Sequence, residues 1–134
     1  MSSTHQEIYH RYVWAGMTRD ASALAEMFTP DGVLESPLVP AASSYPRRLE
    51  GREEIRRAMA AHYERPVDTG RTVNVDETRY VVHATADPDV FIVEIDTVFE
   101  SAEGQSRMSL VQIFRLRDGK IALLRDYFAP EEVG

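Results

Sequence analysis

Three acids interrupt stretches that otherwise read as apolar β-strands: Glu94 and Asp96 within 90–100, and Asp126 within 120–128. An unpaired carboxylate is expensive to bury, so acids in such places need a reason. A carboxyl group held close to other carboxyls in a half-dry pocket has a raised pKa, the condition for moving protons near neutral pH. Period-two alternation sets Ile92, Glu94, Asp96 and Val98 on one side of their strand, with Phe91, Val93, Ile95 and Phe99 on the other. It likewise sets Met108, Leu110, Gln112 and Phe114 against Val111 and Ile113, and Leu124, Asp126 and Phe128 against Leu123 and Tyr127. The expectation is that Glu94, Asp96 and Asp126 share the face that helices cover, with Gln112 between them, and form an acid/base pocket. The alternative is that each acid pairs with one of the chain's many arginines at a rim or an interface.

Other side chains fill out this pocket. Tyr12 points inward from the first helix, either as a core tyrosine or as a hydrogen-bond donor to a ligand. His62 lies on the core-facing side of the third helix. Trp14, Met17, Met59, Met108, Phe114 and Phe128 supply the apolar lining. His5 and His10, at the start of the first helix, read as solvated, and His83 as structural. No histidine stands at metal-ligand spacing from another histidine or an acid, so neither a metal nor another cofactor is expected. Gly51-Arg52-Glu53 lacks the glycine repetition of a phosphate loop.

Positioning these groups is the task of the surrounding elements. Thr4 and Glu7 have the spacing of a capping box and open a helix over 5–17. Asp20 caps a second short helix bearing Leu24, Met27 and Phe28. Thr29-Pro30-Asp31-Gly32 reads as a turn that launches a strand at 33–36. A loop rich in Pro, Ala and Ser follows over 37–46, then a third helix over 52–64. After Pro66 the period becomes two, with strands near 72–83, 90–100, 106–117 and 120–128. Asp118-Gly119 is the strongest hairpin signal. Three helices before an antiparallel meander make an α+β plan in which the helices pack on one face of a curved sheet. Both faces of the long strands are apolar, so the second face needs its own cover, and a second copy of the chain is the simplest one.

The chain's totals set the outer bounds. Its 134 residues support one domain over 1–134. A formal charge of −7 argues against nucleic acid and anionic membrane as partners. The absence of cysteine excludes disulfides and thiolate chemistry from these residues and fits a cytoplasmic protein. No apolar run approaches the roughly 18 residues that cross a bilayer, and the polar start does not read as a signal peptide.

Three stretches carry a resemblance: Leu24-Ala25-Glu26-Met27-Phe28-Thr29-Pro30-Asp31-Gly32, Leu49-Glu50-Gly51-Arg52-Glu53-Glu54-Ile55, and Gly119-Lys120-Ile121 through Arg125-Asp126-Tyr127-Phe128. Together they resemble the nuclear transport factor 2-like superfamily, which includes SnoaL-like polyketide cyclases, limonene epoxide hydrolase, ketosteroid isomerase and the phenazine-biosynthesis proteins. The resemblance implies a cone-shaped α+β fold around an apolar pocket. It implies Asp126 as the principal base or acid, Asp96 as its partner, and Tyr12 and Gln112 as hydrogen-bond donors to an oxyanion. Where limonene epoxide hydrolase carries an arginine that bridges its two acids, this chain has Glu94; the proton-shuttling Asp of ketosteroid isomerase falls at Ser36. The function implied is cofactor-independent acid/base catalysis on a small apolar metabolite: cyclisation, isomerisation or dehydration, or epoxide opening. The alternative is a binding or dimeric interaction module that uses the same cavity without chemistry.

Overall fold

The computed structural model describes residues 4–43, 46–64 and 70–129. Helix α1 (His5–Met17) starts where Thr4 Oγ1 accepts a hydrogen bond from the Glu7 amide at 3.1 Å. Helix α2 (Ala21–Glu26) starts where the Asp20 carboxylate accepts from the Ala23 amide at 3.0 Å. Strand β1 (Phe28–Glu35) and the short β2 (Arg48–Glu50) lead into helix α3 (Arg52–Glu64). Then come β3 (Arg71–Val73), β4 (Arg79–Ala84), β5 (Val90–Ser101), β6 (Gly104–Arg117) and β7 (Lys120–Tyr127). No helix among the described residues is long and apolar enough to cross a membrane.

The seven strands form one curved, unclosed sheet in the order β2-β1-β7-β6-β5-β3, with β4 also paired to β5. The sheet is mixed. The expected antiparallel meander is present as β4-β5-β6-β7, while β1 runs parallel to β7, and the remaining pairings are antiparallel. Two further boundaries differ. The expected strand over 72–83 is split because Asn74 makes a turn, its side chain accepting from the Glu77 amide at 3.1 Å and its carbonyl from the Thr78 amide at 3.0 Å. The Thr29–Gly32 turn signal lies inside β1, whose pairing with β7 is irregular between Phe28 and Val33. Gly32 is required there, since a Cβ would stand 2.9 Å from the Ile121 carbonyl oxygen. The change of period expected after Pro66 begins outside the described residues. In the loop over 37–46, the described Val39 is only 2% exposed and packs inward rather than lying on the surface.

The core lies between α1, α2, α3 and one face of the sheet, around Phe28, Ile55, Phe91, Phe114 and Leu124, all fully buried. Phe91 and Phe114 stack with ring centroids 4.6 Å apart, and Tyr12 meets Phe114 edge-on at 5.6 Å. Such aromatic pairs add about 0.5–1.5 kcal/mol beyond the area they bury. They also fix which face of β5 and β6 is inside, and through register that choice governs every other side chain on both strands.

Candidate active site

Directly opposed residues on antiparallel strands share a face, so the pairings Val93↔Gln112 and Gln112↔Asp126 put these three side chains in one row. The neighbouring row is Phe91, Phe114 and Leu124, which belongs to the core. Gln112 and Asp126 therefore face the helices. Gln112 is 7% exposed, and both its Oε1 and the Oδ1 of Asp126 are buried without a hydrogen-bond partner. Burial pushes the Asp126 carboxyl up from 3.8 to about 6, while its side-chain hydrogen bond with Gln112 pulls the other way. A carboxyl group with that pKa is mostly ionised at neutral pH yet easily protonated, as a proton-transfer group requires.

The expectation that Glu94 and Asp96 join Asp126 is corrected. The pairings Glu94↔Val111↔Tyr127 and Asp96↔Ser109 place both acids on the opposite, outer face of the sheet. There Glu94 Oε1 is hydrogen-bonded to His83 Nε2 at 2.6 Å, and Asp96 Oδ1 accepts from Ser109 Oγ at 2.5 Å. Alternation alone pairs each residue with its own face but does not say which face is inside. β5 is apolar on both sides, and the stacking of Phe91 on Phe114 decides the matter.

The other side chains expected in the pocket divide. An apolar cavity of about 490 Å³ opens between α1 and the β3–β5 region. From α1 its wall takes Tyr9, His10, Val13, Trp14 and Met17. From the strands and the turn between them it takes Val73, Val75, Thr78, Tyr80, Ile95 and Thr97. Trp14 and Met17 are therefore on the wall, both largely exposed. Phe114 has no exposure and belongs to the core rather than to an open pocket, which corrects its assignment as a contact residue. Phe128 is 6% exposed and likewise packed away. Tyr12 and Met59 pack half-buried against the core. Met108 pairs with Thr97 on the inner face. His62 lies half-buried on α3 with its ring 5.8 Å from that of Tyr63.

Sequence reasoning missed Tyr9, His10 and Tyr80. Tyr9 is 4% exposed, and its phenol is pushed up to about 12 by burial, then by Tyr80, then by the charge on Asp126. It lines the cavity and lies near the carboxylate, so it links the two. Tyr80 packs its ring on Tyr9 at 4.9 Å, and its hydroxyl is hydrogen-bonded to His10 Nε2 and accepts from Gln6 Nε2 at 3.3 Å. His10 is thus not simply solvated, and His5 stacks on Phe91 at 4.7 Å. The signal for Tyr9 was present: Tyr9, Val13 and Met17 recur every four residues and form a second apolar stripe on α1.

Residues 9–124 match the family model described as a SnoaL-like domain. An uncharacterised PhzA/B-like protein of Pseudomonas aeruginosa is 34% identical over 113 residues, covering 83% of this chain and 74% of the relative. Among solved structures, a candidate isomerase of Bacillus subtilis superposes with a TM-score of 0.71 at 24% identity, covering 93% of this chain and 86% of that one. A limonene-type epoxide hydrolase-like enzyme of M. tuberculosis superposes with a TM-score of 0.56 at 16% identity, covering 92% and 80%. At these identities the structural likeness establishes the fold.

The raised pKa of Asp126 carries a stability consequence with a definite sign. The folded carboxyl holds its proton to about pH 6, whereas an exposed one releases it near 3.8. The folded state therefore binds more protons between these values, and stability is lost as pH rises through that window. Asp126→Asn should be more stable than the native chain at pH 8, by about 1–3 kcal/mol in urea denaturation, with the difference closing toward pH 4. A difference that does not vary with pH would remove the buried charge from this account.

Proposed function

The chain belongs to the SnoaL-like domain family, and on that premise we propose that it is a cofactor-independent acid/base enzyme in which Asp126 exchanges a proton with a small apolar metabolite. The observation that carries this reading is a largely buried carboxyl group on the helix-covered sheet face, with one oxygen unpartnered and its pKa raised to about 6, close enough to Tyr9 on the wall of the apolar cavity for its charge to act on that phenol. In the ionised form Asp126 removes a proton from carbon or oxygen, and in the protonated form it returns one. Isomerisation, cyclisation and dehydration all need that pair of steps. Tyr9 keeps its phenol proton throughout the neutral range and can lend a hydrogen bond to charge that develops in the cavity. Epoxide opening by two carboxyl groups is the least supported of the reactions, because Glu94 and Asp96 face away from Asp126.

That separation favours a second reading, in which the cavity binds its ligand without chemistry. The two readings part on a generic base assay. 5-Nitrobenzisoxazole loses its C3 proton to a base, the N–O bond breaks, and a coloured cyanophenolate forms, with no specific recognition needed. Ring opening should rise with pH through about 6, and Asp126→Asn should lower it by roughly 10²-fold, the lower bound for a positioned base. Equal rates in the two proteins would favour the binding module.

We propose further that the outer face of the sheet takes a second copy of the chain. Val81 and Val111 are exposed there, 53% and 37%, beside the partly buried Ile92, Ile113 and Tyr127, and no described element covers them. The arrangement predicts a mass of twice 15.2 kDa by light scattering at micromolar concentration. A mass of one chain would refute the pairing without touching the role of Asp126.

A further inference from the structure

Four aromatic side chains line the one apolar cavity: Tyr9, His10 and Trp14 from α1, and Tyr80 from β4. Three of them meet as a corner rather than a stack. The rings of Tyr9 and Tyr80 lie 4.9 Å apart at 50°, those of His10 and Tyr80 5.6 Å apart at 85°, and those of Tyr9 and His10 6.5 Å apart at 47°. Hydrogen bonds hold the corner, since the Tyr80 hydroxyl is bonded to His10 Nε2 and accepts from Gln6 Nε2. Trp14, one turn beyond His10, is 67% exposed. The described residues of the wall include no Asp, Glu, Lys or Arg. An unmatched charge lies near this corner. Among the described residues no lysine, arginine or histidine forms an ion pair with Asp126, although buried carboxylates are ordinarily paired. Its charge acts on the Tyr9 phenol, so its field reaches the cavity wall.

We infer that this cavity takes an alkylated ammonium cation on an apolar frame, held against the rings of Tyr9, Trp14 and Tyr80, with Asp126 as its counter-charge beyond the wall. The face of an aromatic ring is the negative end of a quadrupole and attracts cations without needing a hydrogen bond. The carboxylate behind Tyr9 adds a field of the same sign, and a chain of formal charge −7 draws cations toward it. A neutral apolar molecule fills the same space but leaves Asp126 unmatched. An anion meets ring faces and a carboxylate that both repel it. The inference needs the charge of Asp126 and not its proton transfer, so it goes beyond the acid/base reading and stands or falls separately.

The test is an isosteric pair measured by calorimetry at about pH 8, where Asp126 is ionised: (4-hydroxymethylphenyl)trimethylammonium and 4-tert-butylbenzyl alcohol share one shape and differ in charge. The cation should bind about tenfold tighter than the alcohol. Trp14→Leu and Tyr80→Leu, both at exposed positions, should each shrink that ratio roughly twofold to fivefold, the worth of one ring, whereas Tyr80→Phe keeps the ring and should keep the ratio. Asp126→Asn should shrink it about threefold or more by removing the counter-charge. A ratio near one overturns the inference, as does no binding of the cation at millimolar concentration. A preference for the cation that survives both Trp14→Leu and Asp126→Asn overturns it too. If the ratio is one while the base assay still depends on Asp126, the cation selection fails and the acid/base reading stands. If the cation is selected while ring opening is equal in the native chain and Asp126→Asn, the inference holds and the acid/base reading falls.

Discussion

The row formed by Val93, Gln112 and Asp126 across β5, β6 and β7 places a carboxylate where an apolar side chain would ordinarily pack, against the helix-covered face of the sheet. The acid/base reading of this protein depends on that placement. The neighbouring row, Phe91, Phe114 and Leu124, is fully buried and stacked, so the sheet cannot slide or turn over to return Asp126 to water. A slip of one residue would exchange the faces, exposing three core side chains while burying Glu94 and Asp96. The core thus pays for the acid, and the acid in turn acquires a proton affinity suited to neutral pH.

The helices contribute a second layer. Helix α1 carries two stripes, one that seals the core through Ile8, Tyr12 and Ala15, and one, Tyr9, Val13 and Met17, that walls the cavity. Tyr9 belongs to both environments, since it packs edge-on to Phe114 with centroids 6.2 Å apart and also meets Tyr80 at the cavity. The outer face of the sheet follows a different logic. Its acids are paired, Glu94 with His83 and Asp96 with Ser109, and the apolar side chains between them are left for another surface.

Much of the fold was readable in the residues. The spacing of Thr4 and Glu7, the cap at Asp20 and the Asp118-Gly119 turn marked α1, α2 and the last hairpin within a residue or two. The parallel pairing of β1 with β7 was not readable, because it joins residues about ninety positions apart and leaves no local signature. Strand β2 has three residues, too few to show a period. For the site, the alternation of β6 and β7 correctly grouped Gln112, Phe114, Leu124 and Asp126 on one face. It misplaced Glu94 and Asp96 because β5 carries apolar residues at both parities, and only the contact between Phe91 and Phe114 distinguishes inside from outside. Membership of a family whose fold hosts many reactions leaves the chemistry to be argued from these particular side chains.

The central claim is that burial, rather than a partner carboxylate, tunes Asp126 for proton transfer. Carbon-13 NMR of the side-chain carboxyl groups, with the Asp126 signal assigned by its loss in Asp126→Asn, measures this directly. A titration midpoint of about 6 is predicted, and a midpoint near the ordinary 3.8 would contradict the account.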